Sequence, residues 1–215
     1  MTLSIAVLIS GRGSNLKALL DATAEAGFPA QISCVLSNVA SAPGLEFART
    51  SDIPALVVPH QDYQSKHDFE AAVIDVLSKH SVDLICLAGF MRLLSADFIA
   101  RFGNRIVNIH PSLLPAFPGL DTHSKVLAAG VRFTGCTVHF VSAEMDSGPI
   151  ITQASVPVHQ DDTEESLAAR VLRAEHLLYP MAVRMIAEDR VRIEGDRVVV
   201  KAGAAPLVSL FNPAH

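Results

Sequence analysis

Cysteine is scarce in this chain, and its possible metal ligands are scattered. The three cysteines, Cys34, Cys86 and Cys136, lie far apart and form no C-x-x-C pair, so neither a disulfide framework nor a cysteine-rich zinc site is expected. The nine histidines are never closer than seven residues, so H-E-x-x-H is absent and no metal site is predicted. Two cysteines lie in apolar runs, which predicts reduced core thiols in a cytoplasmic protein.

Charge and long hydrophobic runs are also limited. Only 18% of the 215 residues are charged, the formal net charge is −5, and no dense basic patch occurs, so no nucleic-acid partner is expected. The first apolar run breaks at Gly11, which is too early for a signal peptide or a membrane span, so no membrane partner is expected either. Half of the chain is hydrophobic, which excludes a disordered protein.

Motifs for covalent and dinucleotide chemistry are missing as well. There is no G-x-S-x-G stretch, so a serine acyl-enzyme has no local support. The glycine-rich stretch "SGRGSN" is followed by Leu16 where the dinucleotide fingerprint needs glycine, which counts against a nicotinamide dehydrogenase. The same stretch is not a P-loop, so it suits one terminal phosphate better than a pyrophosphate.

The first half of the chain alternates short apolar runs with segments of helical periodicity. The apolar runs are 4–10, 32–37, 55–59, 83–89 and 105–110, and the helical segments are 14–26, 44–51, 66–80 and 95–102. Fully apolar strands that alternate with helices predict an α/β protein with an open, doubly wound parallel sheet.

The pattern changes in the second half. Runs 136–142 and 148–158 are separated by too few residues for a crossover, so they are predicted to pair antiparallel. A long helix begins at "DDTEES" and ends near Glu188, and residues 190–200 form a predicted hairpin.

A candidate phosphate site follows the first strand. Gly11 and Gly13 permit close backbone approach and positive φ, while Ser14 and Asn15 can begin a helix whose free N–H groups bind an anion. A plain glycine-rich turn is the alternative. Ligands of such sheets bind at the carboxyl ends of the strands, which favours the phosphate site.

A second candidate site lies in "RIVNIHPSLLPAFPG". Asn108 and His110 face the same side of a strand, so their N–H groups can both donate to one developing oxyanion. A nearby carboxylate favours a charged histidine, and Asp146 in "SAEMDSGPI" is the best candidate, with Glu144 as a local rival. Hydrogen bonds that merely end a strand, and turn formation by Asp146, are the structural alternatives. His139 is assigned mainly a structural role.

Prolines follow this pair at 111, 115 and 118, where they stop the strand and stiffen the loop, and Leu114–Pro115 is a candidate cis bond. Together these features indicate a non-covalent, acid-assisted attack on a carbonyl, with one substrate carrying a phosphate.

Five stretches that run in order from about residue 4 to 190 match one known family. They are "VLISGRGSNL", "LAGFMRLLS", "IVNIHPSLLPAFPGLDTH", "GCTVHFVSAEMDSGPII" and "RVLRAEHLLYP". Together they resemble the phosphoribosylglycinamide formyltransferases of the folate-dependent formyltransferase superfamily. The resemblance implies the formyltransferase fold, a Rossmann-like, mostly parallel doubly wound sheet with an antiparallel C-terminal part. It implies one domain over 1–200, with a phosphate-binding half at 1–110 and a catalytic-loop and folate half at 111–200, followed by a tail at 201–215.

The resemblance also implies a reaction and its residues. The formyl group of 10-formyltetrahydrofolate would pass directly to the amine of phosphoribosylglycinamide, in purine biosynthesis, without a metal. The catalytic residues would be Asn108, His110 and Asp146. The nucleotide would be held by Gly13, Ser14, Asn15 and Glu175. The folate would be held by Lys66, Met91, Arg92, Leu93, Leu94 and Asn108, with the 142–146 loop. Only small-molecule partners are implied, with a monomer or weak homodimer.

The chain departs from the family pattern at three positions, and alternatives remain. Lys66 stands where arginine is more frequent, Ala116 where a basic residue is more frequent, and Asp121 is atypical. Methionyl-tRNA formyltransferase and formyltetrahydrofolate deformylase share the catalytic residues but normally add a further domain, so both are disfavoured. A nucleotide-binding module without catalysis would need the phosphate turn alone.

Overall fold

The computed structural model describes residues 2–201 and Asn212. Nine strands are present in that part of the chain: β1 (Leu3–Ile9), β2 (Ala30–Ser37), β3 (Ala55–Val57), β4 (Leu84–Leu87), β5 (Ile106–His110), β6 (Phe133–Phe140), β7 (Ile150–Pro157), β8 (Val191–Glu194) and β9 (Arg197–Val200). Six α-helices accompany them: α1 (Ser14–Ala24), α2 (Leu45–Thr50), α3 (Lys66–Ser78), α4 (Ala96–Phe102), α5 (Thr122–Ala129) and α6 (Glu164–Ala187).

Seven strands form one sheet in the order β3-β2-β1-β4-β5-β6-β7. The first five strands are parallel, whereas β6 is antiparallel to both β5 and β7. The predicted fold class, a doubly wound parallel sheet with an antiparallel C-terminal part, is therefore confirmed. The strands β8 and β9 form a separate hairpin, also as predicted.

Helices cover both faces of the sheet, which explains why its strands are apolar throughout. In β1, Ile5, Val7 and Ile9 enter one buried cluster, while Ala6 and Leu8 enter the cluster on the opposite face. Because successive side chains of a strand alternate between faces, each central strand needs apolar residues at every position.

The long helix α6 crosses one face and is bonded directly to the centre of the sheet. Thr163 caps its first turn by accepting a hydrogen bond from Ser166 N–H. The fully buried Tyr179 hydroxyl contacts the carbonyl oxygens of Leu87 and Val107, at 3.0 and 3.2 Å. This contact holds α6 over the last residue of β4 and the second residue of β5.

Two details in the second half of the chain differ from the sequence predictions. Helix α5 was not predicted, because its eight residues carry a weak apolar pattern; it begins after Asp121 and ends at Gly130, which has a left-handed conformation. Strand β6 begins at Phe133 rather than at 136. Most of the predicted tail, residues 202–211 and 213–215, lies outside the described residues. The division of the domain at residue 110 stays a prediction, and β5 and β6 pair across it. No helix in the described part of the chain is long and apolar enough to cross a membrane.

Candidate active site

Three turns that follow neighbouring strands meet at one end of the sheet. Strands β1, β4 and β5 are adjacent and parallel, so the segments after them, which begin at Ser10, Ala88 and Pro111, leave the same edge. Carboxyl ends of parallel strands are the usual ligand site in sheets of this kind. The sheet topology therefore brings the segments that carry the predicted phosphate-binding and catalytic residues to one edge of the sheet.

The predicted phosphate-binding turn, residues 10–15 and called the phosphate turn below, leads from β1 into α1 through a left-handed residue. Gly13 has φ 74, and a Cβ placed on it would lie 2.7 Å from Gly44 Cα, so only glycine fits there. Lys17 N–H is the first backbone N–H of α1 that has an acceptor in the helix, and it donates to Gly13 O at 2.9 Å. The earlier N–H groups of the helix, including those of Ser14 and Asn15, lack intrahelical acceptors and can bind an anion.

Asn15 and Glu175 are 160 residues apart in sequence but in direct contact. Asn15 Nδ2 donates to Glu175 Oε2 at 2.7 Å, and both side chains are buried. Burial raises the pKa of Glu175, and the hydrogen bond from Asn15 offsets part of this rise. Asn15 Oδ1 is buried without a hydrogen-bond partner in the structure. The pair thus joins α6 to the phosphate turn and leaves one acceptor unused.

His110 and Asp146 also lie together. Asp146 Oδ2 is 3.4 Å from His110 Nδ1 and accepts a hydrogen bond of 2.8 Å from Gly119 N–H. Because β6 is antiparallel to β5, the loop after Phe140 begins near the start of β5 and has to fold back across the sheet face to reach His110. Asp146 adopts φ 53, a left-handed conformation that Asp tolerates better than most residues. Glu144, the rival carboxylate, is exposed.

The second nitrogen of His110 is also occupied. His110 Nε2 lies 3.0 Å from Phe117 O, in the proline loop, and the residue is 5% exposed. Because its neighbour is a carbonyl oxygen, Nε2 carries a hydrogen and donates it. With this hydrogen on Nε2 and a carboxylate beside Nδ1, the ring is placed to act as a general acid or an oxyanion donor.

His139 is a member of this cluster that the sequence analysis treated as mainly structural. Its Nδ1 lies 3.0 Å from Phe140 O, which makes Nδ1 the protonated nitrogen, and its Nε2 lies 3.3 Å from Asn108 Nδ2. Burial lowers the pKa of His139, so the ring is neutral and its Nε2 can accept from Asn108. The Asn108 amide is thereby oriented. The antiparallel pairing of Asn108 with His139 could have been found in the sequence only with the strand register known.

The proline loop after His110 is held by buried hydroxyl groups. Thr137 Oγ1 donates to Ser112 O at 2.7 Å and accepts from Leu114 N–H at 3.0 Å. Ser112, which is fully buried, donates to Ala116 O at 2.6 Å. The Leu114–Pro115 peptide bond is cis, as the sequence analysis suggested. Phe117, whose carbonyl oxygen contacts His110, is thus part of a fixed loop.

Four of the six residues expected to contact folate, Met91 to Leu94, lie in the segment between β4 and α4. Met91 and Leu93 are 66% and 67% exposed, which is unusual for large apolar side chains, and Leu94 packs partly against the core. Lys66 begins α3, and its Nζ is 4.0 Å from Glu70 Oε1. No group of three or more His, Cys, Asp or Glu side chains between residues 2 and 201 is placed to hold a metal ion.

Comparison with known proteins gives a consistent result. A family model described as formyl transferase matches residues 3–183. The phosphoribosylglycinamide formyltransferase of Haemophilus influenzae is 41% identical over 208 residues, which are 97% of this chain and 98% of that protein. A trifunctional purine biosynthetic protein adenosine-3 from Bos taurus is 48% identical over 88% of this chain, which spans only 19% of that longer protein. The crystal structure of glycinamide ribonucleotide transformylase 1 from Symbiobacterium toebii superposes with a TM-score of 0.90 at 50% identity, covering 93% of this chain and 94% of that one.

Proposed function

Because this chain belongs to the formyl transferase family, we propose that it transfers the formyl group of 10-formyltetrahydrofolate to the amine of 5-phosphoribosylglycinamide, a step of purine biosynthesis. The observation that carries the proposal is the buried contact of His110 with Asp146, next to Asn108 on the same strand. These groups suit an attack on a carbonyl that passes through an oxyanion.

The reaction proceeds by direct attack. The amine nitrogen bonds to the formyl carbon, the bond from that carbon to N10 of the folate breaks, and one proton passes from the amine to N10. Asn108 Nδ2 carries two hydrogens, of which one faces His139, so the second can donate to the oxyanion. His110 Nε2–H can donate to the same oxygen if it shares or gives up its contact with Phe117 O. Asp146 stabilises the imidazolium across 3.4 Å.

The nucleotide binds at the α1 end of the sheet. The amides around Gly13, Ser14 and Asn15 hold the phosphate, which the positive end of the helix also attracts. Glu175, fixed by Asn15, accepts hydrogen bonds from the ribose or glycinamide end of the substrate. Its buried oxygens are expensive to leave unpaired, so they favour a donor-rich substrate.

The folate binds beside the nucleotide. Met91, Leu93 and Leu94 form an apolar wall for the pterin ring, with Arg92 between them and with Asn108 and the 142–146 loop beside them. Lys66, whose side chain is 44% exposed, is placed for the acidic tail of the folate. A lysine there supplies a point charge and lacks the planar fork of arginine. We also infer a cytoplasmic location, since all three cysteines are buried free thiols, and the expected monomer or weak homodimer stays a prediction.

One assay tests the proposal and separates it from the related deformylase reaction. The purified chain is incubated with 10-formyltetrahydrofolate, with and without phosphoribosylglycinamide, and release of tetrahydrofolate is followed. Release that requires the nucleotide, with formation of the formylated nucleotide, supports transfer. Equal release without the nucleotide identifies a deformylase, and no release in either arm refutes both activities.

A further inference from the structure

The segment from Ala88 to Ser95 contains neither helix nor strand and presents two large apolar side chains, Met91 and Leu93, mostly to solvent. Its first residues are anchored by side chains, since Ala88 and Phe90 are buried in the core. Side chains that point into solvent contribute little to holding a loop in place. The path of the backbone around Met91 and Leu93 therefore depends mainly on backbone contacts and on the two ends of the segment.

The first end is held by Ser10, the last residue before the phosphate turn. Ser10 N–H donates to Gly89 O at 3.1 Å, and Ser10 Oγ accepts from Met91 N–H at 2.7 Å. The same hydroxyl donates to Asn38 Oδ1 at 2.5 Å, and Asn38 is buried. Because its hydrogen and a lone pair are both used, this hydroxyl has a defined orientation, and so has the backbone at Met91.

The second end is held by Glu70, a buried carboxylate on α3 that is 5% exposed. Glu70 Oε1 accepts from Ser95 N–H at 2.7 Å, and Glu70 Oε2 accepts from the Ser95 hydroxyl. Lys66 Nζ, at 4.0 Å, is a more distant cation. A carboxylate is expensive to bury, and here both oxygens are used to fix one residue at the start of α4.

We propose that Ser10 and Glu70 are positioning residues, which hold residues 91–94 as a preformed wall for the folate co-substrate. This inference rests on the proposed function, because it assigns the wall to the folate. A loop that is already ordered loses less conformational entropy when its ligand binds, so the two contacts strengthen folate binding without touching the folate. Ser10 also adjoins the phosphate turn, whereas Glu70 does not.

The test compares Glu70→Ala, Glu70→Gln and Ser10→Ala with two matched controls, Glu46→Gln and Ser78→Ala, whose side chains lie on the surface of α2 and α3. Glu70→Ala removes both hydrogen bonds that the charged carboxylate accepts from Ser95, and this loss is expected to raise the KM for 10-formyltetrahydrofolate roughly tenfold. Glu70→Gln keeps one acceptor for Ser95 N–H, so its rise is smaller. Ser10→Ala is expected to raise the same KM roughly fivefold.

The pattern of kinetic constants separates positioning from a general structural defect. In the Glu70 variants, kcat and the KM for the nucleotide stay within about twofold of the unchanged chain, whereas Ser10→Ala also raises the nucleotide KM. A rise of both KM values in Glu70→Gln, or no rise of the folate KM in either Glu70 variant, overturns the inference. If Glu70→Ala does not fold, as judged by its melting curve, Glu70→Gln and Ser10→Ala decide the outcome.

Two further measurements isolate the cause. A formyl donor that lacks the glutamate tail shows whether Glu70 acts only by orienting Lys66. If the Glu70 variants still raise the KM of this shortened donor, the positioning of residues 91–94 is supported. If its KM no longer rises, the inference is overturned. Calorimetric titration of the unchanged chain with tetrahydrofolate tests folate binding without catalysis. Absence of tetrahydrofolate binding refutes the proposed function, whereas normal binding by the unchanged chain with an unchanged folate KM in both Glu70 variants refutes this inference alone.

Discussion

Replacing Asp146 by asparagine is the sharpest test of the catalytic residues. Asparagine has nearly the same shape, tolerates the left-handed backbone at φ 53, and can accept from Gly119 N–H through its Oδ1. The change therefore removes a negative charge 3.4 Å from His110 Nδ1 and little else.

The size of the effect follows from that distance. Two unit charges 3.4 Å apart attract by about 5 kcal/mol at an effective dielectric constant of about 20. The asparagine dipole retains part of this, and loss of one oxyanion-stabilising donor costs about 3–4 kcal/mol in characterised sites. We expect kcat to fall by about 10²–10³-fold while both KM values change little, since neither binding site loses a contact.

Steady-state release of tetrahydrofolate measures kcat, and calorimetry with the nucleotide measures binding. Glu144→Gln is the matched control for the charge of the loop, because it removes a neighbouring charge at an exposed position. Its loop is assigned to the folate site, so an effect on folate binding would appear in the folate KM, whereas kcat at saturating folate should equal that of the unchanged chain. Near-normal kcat in Asp146→Asn would show that the carboxylate charge is not needed. Equal losses in the two variants would mean that the net charge of the loop matters, and the contact with His110 does not.

Three other substitutions test the nucleotide site and the stability of the fold. Gly13→Ala should raise the nucleotide KM at least about tenfold, because its Cβ would lie 2.7 Å from Gly44 Cα and strain at φ 74 costs about 1–3 kcal/mol. Kinetics at a fixed folate concentration would measure this KM. An unchanged KM would exclude phosphate binding at this turn. Glu175→Gln should raise the nucleotide KM but keep or raise the melting temperature at pH 7. Burial raises the pKa of Glu175, so the contribution of this carboxyl to the stability of the fold is present below about pH 4.3 and is lost as pH rises through the folded pKa. A lower melting temperature with an unchanged KM would contradict that assignment. Asp162→Asn should lower the free energy of unfolding by about 2 kcal/mol at pH 7, because the hydrogen bonds from Arg170 hold the pKa of Asp162 well below its usual range. This difference should shrink as pH falls below about 4 in urea titrations, and a constant difference would rule out the ion pair as its source.

The elements and their order could be predicted from local patterns. Fully apolar runs such as residues 4–10 and 83–89 are recognisable because both faces of a parallel sheet are covered, which removes the alternation of an exposed strand. Helix α5 could not be predicted, since its eight residues are held by the left-handed Asp121 and Gly130 at its two ends more than by an apolar stripe. Gly130 alone is a common helix-ending signal, but a left-handed aspartate before the first turn has no local sequence signature.

The candidate site also has features that the sequence predicts and features that only the fold shows. Glycines at the phosphate turn and the Asn108–His110 spacing follow from backbone stereochemistry and the two-residue period of a strand, so the sequence alone indicates them. The partners of these residues depend on contacts between distant parts of the chain. Asp146 reaches His110 because the loop after β6 folds back across the sheet, and His139 meets Asn108 through the register of an antiparallel pair.

Local sequence patterns are enough to predict the alternation of strands and helices, the glycine turn after β1 and the candidate donors Asn108 and His110. The fold is needed to show that Asn15 bonds to Glu175, that Asp146 and not Glu144 faces His110, and that Ser10 and Glu70 contact Met91 and Ser95. The physical reason is the range of the forces involved. Backbone preference and periodicity act within a few residues, whereas a buried hydrogen bond joins groups that only the folded chain brings within about 3 Å.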